Sequence, residues 1–147
     1  MIADPRRRIL SGSIAGTCVV ACTTMLNLWA RRRGLLSRGM DLRELAPFVD
    51  EKRFPAGSLA AGIAVHVAAG VGDGGLYGLA CRRFSVRSGV GFMAVLWLIT
   101  MLVVMPMTKQ GLFGMRSGVE VPAATLVLHV VFGMGLGALA RLVYRAL

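Results

Sequence analysis

Charge is scarce in this sequence. Only 16% of its 147 residues are charged and 7% are aromatic, whereas ordinary water-soluble domains carry about 25% charged residues. With 56% apolar residues and a mean hydropathy of +0.69, the chain is neither disordered nor suited to water as its main solvent. Strand-like alternation, a phosphate-binding loop, a zinc motif and a Ser/His/Asp arrangement for nucleophilic catalysis are all missing. Carboxylates are few as well, 7 against 17 Lys and Arg, for a net charge of +10. In a soluble chain that excess would suggest nucleic acid. Here the basic residues sit mostly at the ends of apolar runs, where lipid headgroups lie, so no nucleic-acid partner is expected. Cys18, Cys22 and Cys81 are an odd number set in apolar sequence and give no disulfide framework.

What is present is four apolar runs, at about 9–30, 57–81, 90–108 and 121–143. Each is long enough to cross a hydrocarbon core of about 30 Å. They predict an all-α fold, a four-helix transmembrane bundle of up-down-up-down connectivity, forming a single integral membrane domain over 1–147. An even number of crossings puts both termini on the same side. Val19-Val20-Ala21-Cys22 loosely resembles a lipoprotein cleavage site, but the run continues to Arg31-Arg32-Arg33, as a retained crossing does. The loop at about 34–56 mixes Asp41, Glu44, Asp50 and Glu51 with Arg38, Arg43, Lys52 and Arg53. It reads as a solvated face with a short turn over 40–45, begun at Asp41 and ended before Pro47. The short connection 82–89 and the glycine-rich 109–120 predict hairpins. Eight basic residues fall on the side of the termini and nine on the other, a difference too small to orient the bundle.

The second and fourth runs resemble each other. Ala60 to Val67 (AAGIAVHV) is followed by Gly70, Gly72 and Gly74, and Ala123 to Val130 (AATLVLHV) by Gly133, Gly135 and Gly137, at a constant offset of 63. The chain's two histidines, His66 and His129, fall in register. A two-helix unit used twice keeps its direction, which predicts a 2+2 parallel internal repeat about an axis along the membrane normal. The first and third runs show no comparable match. Gly70, Gly74 and Gly78, like Gly133 and Gly137, recur every four residues in the GxxxG manner and give faces on which helix backbones approach closely.

An imidazole in mid-membrane is costly unless something binds it, which makes both histidines functional candidates. Gly62 and Gly70 flank His66 by one turn each, and Thr125 and Gly133 flank His129. Each histidine thus sits in a notch of small residues of the kind a haem b ring would need if His66 and His129 were its axial iron ligands. The plainer role is packing and hydrogen bonding between helices. Asp73 is the one acid inside an apolar run, and with His66 and Tyr77 it forms a polar stripe suited to proton relay or a wet cavity. Its plainer role is an ion pair with Arg82 or Arg83. The methionines of the third run fill space better than they bind copper, Trp97 packs, Trp29 and Tyr144 lie near interfaces, and Pro106 ends the third helix.

Through Gly12 to Thr17, Met40-Asp41-Leu42, His66 to Gly78, Trp97 to Pro106 and His129 to Gly137, the chain resembles a group of small bacterial inner-membrane proteins with four transmembrane helices and no known function. The resemblance implies a bacterial inner (cytoplasmic) membrane address and supplies no reaction. The leading expectation is a non-enzymatic accessory or assembly subunit of a membrane complex, or a homo-oligomer joined through its glycine faces. The alternatives are a b-type haem electron-transfer protein and a proton or small-solute conductor.

Overall fold

A computed structural model describes residues 4–35, 41–47 and 49–147. Four helices are long and apolar enough to cross a membrane: α1 (Pro5–Arg32), α2 (Pro55–Ala80), α3 (Val86–Met107) and α4 (Val121–Ala146). No strand occurs among the described residues. The helices pack on one another as an all-α four-helix bundle, and the chain is a multi-pass membrane protein.

Local chemistry sets the helix ends. Pro5 opens α1 with the φ a first turn needs, and the Asp4 carboxylate accepts from the Arg6 N–H at 2.9 Å. Helix α3 begins before the predicted 90 because a reciprocal Ser85/Ser88 capping box, not hydropathy, starts it. Near its end the Met105 N–H reaches back to the Thr100 carbonyl across a π-turn at Thr100–Val104. That wider turn accommodates Pro106, which has no N–H to continue the ladder, and α3 stops one residue later.

The bundle is built from two closely packed pairs, α1 with α2 and α3 with α4. In the first pair, a Cβ on Gly16 would strike the Gly70 carbonyl, and one on Gly74 would strike the Gly12 carbonyl. In the second pair, a Cβ on Gly89 would strike the Gly133 carbonyl, and one on Gly137 would strike the Ser85 carbonyl. These are the same two contacts made twice. Gly70/Gly133 and Gly74/Gly137 keep the offset of 63 seen in the sequence, and their partners Gly16/Gly89 and Gly12/Ser85 are displaced by 73. The extra ten positions reflect the longer first loop. Helix pairing therefore repeats even though the first and third runs show no sequence match.

The pairs join through α1 and α4, where Ala15, Val19 and Val20 meet Phe132, Leu136 and Ala140 in one buried cluster. A complete two-fold repeat would give α2 and α3 the same close approach, and they do not have it. Aromatic bulk stands there instead: the Tyr77 ring lies 5.3 Å from that of Phe84 and 5.4 Å from that of Phe92. The repeat is thus one of pairs rather than of the whole bundle. At the same end an Arg7 Nη donates to the Tyr144 carbonyl at 2.8 Å, and its guanidinium lies over the Tyr144 ring, tying the first turn of α1 to the last of α4.

At the opposite end, the 3-10 turn Leu42–Leu45 is capped by Asp41, which also pairs with Arg31 at 3.1 Å. Leu42 and Ala46 are buried, so this stretch is less solvated than its charges suggest. Met40 and Arg38 lie outside the described residues. The third connection folds back so that Phe113, held at φ 55°, meets the Trp97 ring edge-on at 6.0 Å.

The packing gives a prediction of opposite signs. Gly72 and Gly91 have open space where a Cβ would go, so Gly72→Ala and Gly91→Ala hold or raise stability by up to about 0.5–1 kcal/mol through helix propensity. Gly74→Ala and Gly137→Ala force backbones apart and lower it by about 1–3 kcal/mol. Reversible unfolding in mixed micelles measures all four.

Candidate functional site

Two threonine hydroxyls take ring N–H groups from neighbouring helices inside the membrane segments. On α1 the Thr23 hydroxyl donates to its own Val20 carbonyl at 3.1 Å and sits 3.3 Å from Nε2 of His66 on α2. A hydroxyl has one proton, so the arrangement satisfying both contacts has the His66 Nε2–H donating to Thr23. On α4 the Thr125 hydroxyl donates to the Val121 carbonyl at 2.7 Å and accepts from the Trp97 indole N–H of α3 at 3.2 Å. One turn on, His129 Nδ1 donates to the Thr125 carbonyl at 2.8 Å. Each pair is therefore clasped by a ring N–H from one helix on a threonine hydroxyl of the other. Such bonds contribute about 0.6–2 kcal/mol each in a membrane.

Both histidines are half-buried. The tautomers above leave His66 Nδ1 and His129 Nε2 as the nitrogens without a protein partner among the described residues. The small residues around them do not form the expected ring-sized notches. Gly62 lies against the Leu42 carbonyl, Gly70 against Val20, and Gly133 against Gly89 and Val90. Thr125 is engaged by Trp97. The faces of the three glycines that a haem would press against are filled by protein, and His66 Nε2 is turned to Thr23, so the ring nitrogens left to ligate an iron are His66 Nδ1 and His129 Nε2. Among the described residues, no group of three or more His, Cys, Asp or Glu gathers to hold a metal ion.

The residues of the stripe, His66, Asp73 and Tyr77, make no direct hydrogen bond to one another among the described residues. Tyr77 is fully buried, and its hydroxyl bonds the Ser88 hydroxyl at 2.7 Å and the Ser85 carbonyl at 3.2 Å, locking the α2–α3 hairpin onto its capping box. His66 turns instead to Thr23. Asp73 is half-buried and makes neither a hydrogen bond nor an ion pair among the described residues, so the pairing with Arg82 or Arg83 is not made. The glycine faces, expected to join separate copies of the chain, are used within it.

Thr23 and Trp97 are the residues that sequence reasoning missed as polar partners. The α1 sequence around Thr23 gives no hint of a histidine across from it. A central tryptophan whose N–H must be satisfied in lipid did carry such a signal for Trp97. Removing the Tyr77 hydroxyl tests its assignment as a clasp: Tyr77→Phe destabilises by about 0.5–1.5 kcal/mol in mixed-micelle unfolding, with helical content by circular dichroism unchanged.

No curated protein matches the chain, and no solved structure does. A family model described as a family of unknown function, DUF6789, matches residues 6–146. Spanning nearly the whole chain, that match places this four-helix membrane protein in the DUF6789 family.

Proposed function

We propose that the chain is a non-enzymatic accessory or assembly subunit of a larger membrane complex. The observation that carries this reading is a second small-residue face on α2, turned outward. Ala60, Ala64, Ala68 and Gly72 recur every four residues, all exposed, and an added Cβ on Gly72 would meet nothing within 4 Å. The inward glycines of the same helix are already packed on α1. In lipid, where apolar surface alone gives helices no reason to associate, a small-residue face is what lets another helix come close.

Asp73, one residue from Gly72 and without a partner among the described residues, supports the same reading, because an acid at membrane depth is stabilised by a donor that a neighbouring helix can supply. The clasp of His66 on Thr23 and the bond of His129 within its own helix support a structural role for the interior. The contact between Arg7 and Tyr144 supports termini on one side of the membrane, and the resemblance noted from the sequence supports a bacterial inner-membrane address.

The test uses the full chain extracted from its native membrane in an amphipathic polymer, with the mass and composition of the particle measured. The wild type is expected in an assembly larger than the 15.6 kDa chain, made either with other subunits or with further copies. The Ala68→Leu/Gly72→Leu variant, which adds bulk at two exposed positions, is expected to return to the free chain with unchanged helical content. A wild type recovered as a single free chain, or a variant that assembles like the wild type, overturns the reading.

A further inference from the structure

The end of the bundle where α1 starts and α4 finishes also holds the α2–α3 connection. Three stretches of chain that are remote in sequence bring their arginines there together. Arg8, Arg82, Arg83, Arg141 and Arg145 line an open cleft of about 220 Å³. Its apolar wall is Phe84 and Tyr144, whose rings meet edge-on at 5.6 Å.

No carboxylate lines this cleft, and none of its arginines forms an ion pair among the described residues. The nearby acid Asp4 is engaged with the Arg6 N–H at the start of α1. Guanidinium groups gathered around one cleft with no carboxylate among them repel one another. One bound anion relieves that repulsion. A guanidinium fork matches a phosphate in geometry as well as charge, and basic pockets between membrane helices near the interface take phosphate headgroups.

We infer that this cleft is a binding site for an anion carrying an uncompensated phosphate group. The phosphate sits among Arg8, Arg82, Arg83, Arg141 and Arg145, and whatever is attached to it lies along Phe84 and Tyr144. The site does not depend on the outward face of α2 or on the accessory role. An anionic phospholipid headgroup and a free phosphate compound share this chemistry.

Thermal unfolding followed by the fluorescence of Trp29 and Trp97 tests the site on the full chain in an uncharged detergent at fixed ionic strength. The titrants are phosphatidylglycerol, phosphatidylcholine of the same acyl chains, and inorganic phosphate. Phosphatidylglycerol is expected to raise Tm saturably, and Arg82→Gln/Arg83→Gln, both exposed on a connection, is expected to raise its half-saturating concentration at least about tenfold. Arg145→Gln is expected to act in the same direction. Arg32→Gln/Arg33→Gln, at the other end of α1, is expected to change nothing. A saturable rise with phosphatidylglycerol alone identifies a lipid headgroup, and one with inorganic phosphate as well identifies a soluble phosphate compound; either supports the site. The inference fails if phosphatidylcholine is as effective as phosphatidylglycerol, or if the control variant loses as much as the Arg82/Arg83 variant. It fails equally if no titrant raises Tm.

Discussion

Helices already surrounded by hydrocarbon gain nothing from hiding apolar side chains against each other, so their association rests on how closely their backbones can approach. That constraint explains where the glycines of this chain fall. The α1/α2 and α3/α4 pairs meet where a single added carbon would strike a partner's carbonyl, and each pair does so twice in the same pattern. Dispersion contacts are individually small and depend steeply on distance, so two helices held at glycine separation gain many of them at once. The polar bonds in each pair, Thr23 with His66 and Thr125 with Trp97, fix rotation and register within contacts the glycines make available.

The large features of the fold were legible because they rest on length and hydropathy. Four runs of sufficient length and the in-register histidines gave the crossings and the second-to-fourth repeat. The equivalence of α1 and α3 was not legible. It resides in the positions Gly16/Gly89 and Gly12/Ser85, and a helix needs only a small residue or a bare backbone at those points while every other position drifts. The start of α3 was misplaced for a related reason: two serines forming a capping box carry little hydropathy signal but decide where a helix begins.

The candidate site was half legible. Costly polar groups in lipid identified His66, His129 and Asp73, but sequence spacing along one helix does not tell which face a neighbour occupies. The notches around the histidines were real gaps in side-chain volume, and they are filled by neighbouring backbone at Gly62 and Gly133 and by the Val20 side chain at Gly70. The arginine cleft was illegible for a different reason. Its residues come from the start of α1, the α2–α3 turn and the end of α4, each of which reads separately as an ordinary interfacial flank. Only the short hairpin and the contact of Arg7 with Tyr144 bring them to one place.

The central claim is that two equivalent pairs of helices touch through their glycine backbones within lipid. Solid-state nuclear magnetic resonance on the full chain in bilayers, carbon-13 labelled only at glycine, reads that contact directly. The account predicts cross-peaks between Gly16 and Gly70 and between Gly12 and Gly74, together with Gly89 to Gly133 in the second pair. A spectrum whose only glycine–glycine cross-peaks join residues of the same helix would contradict it.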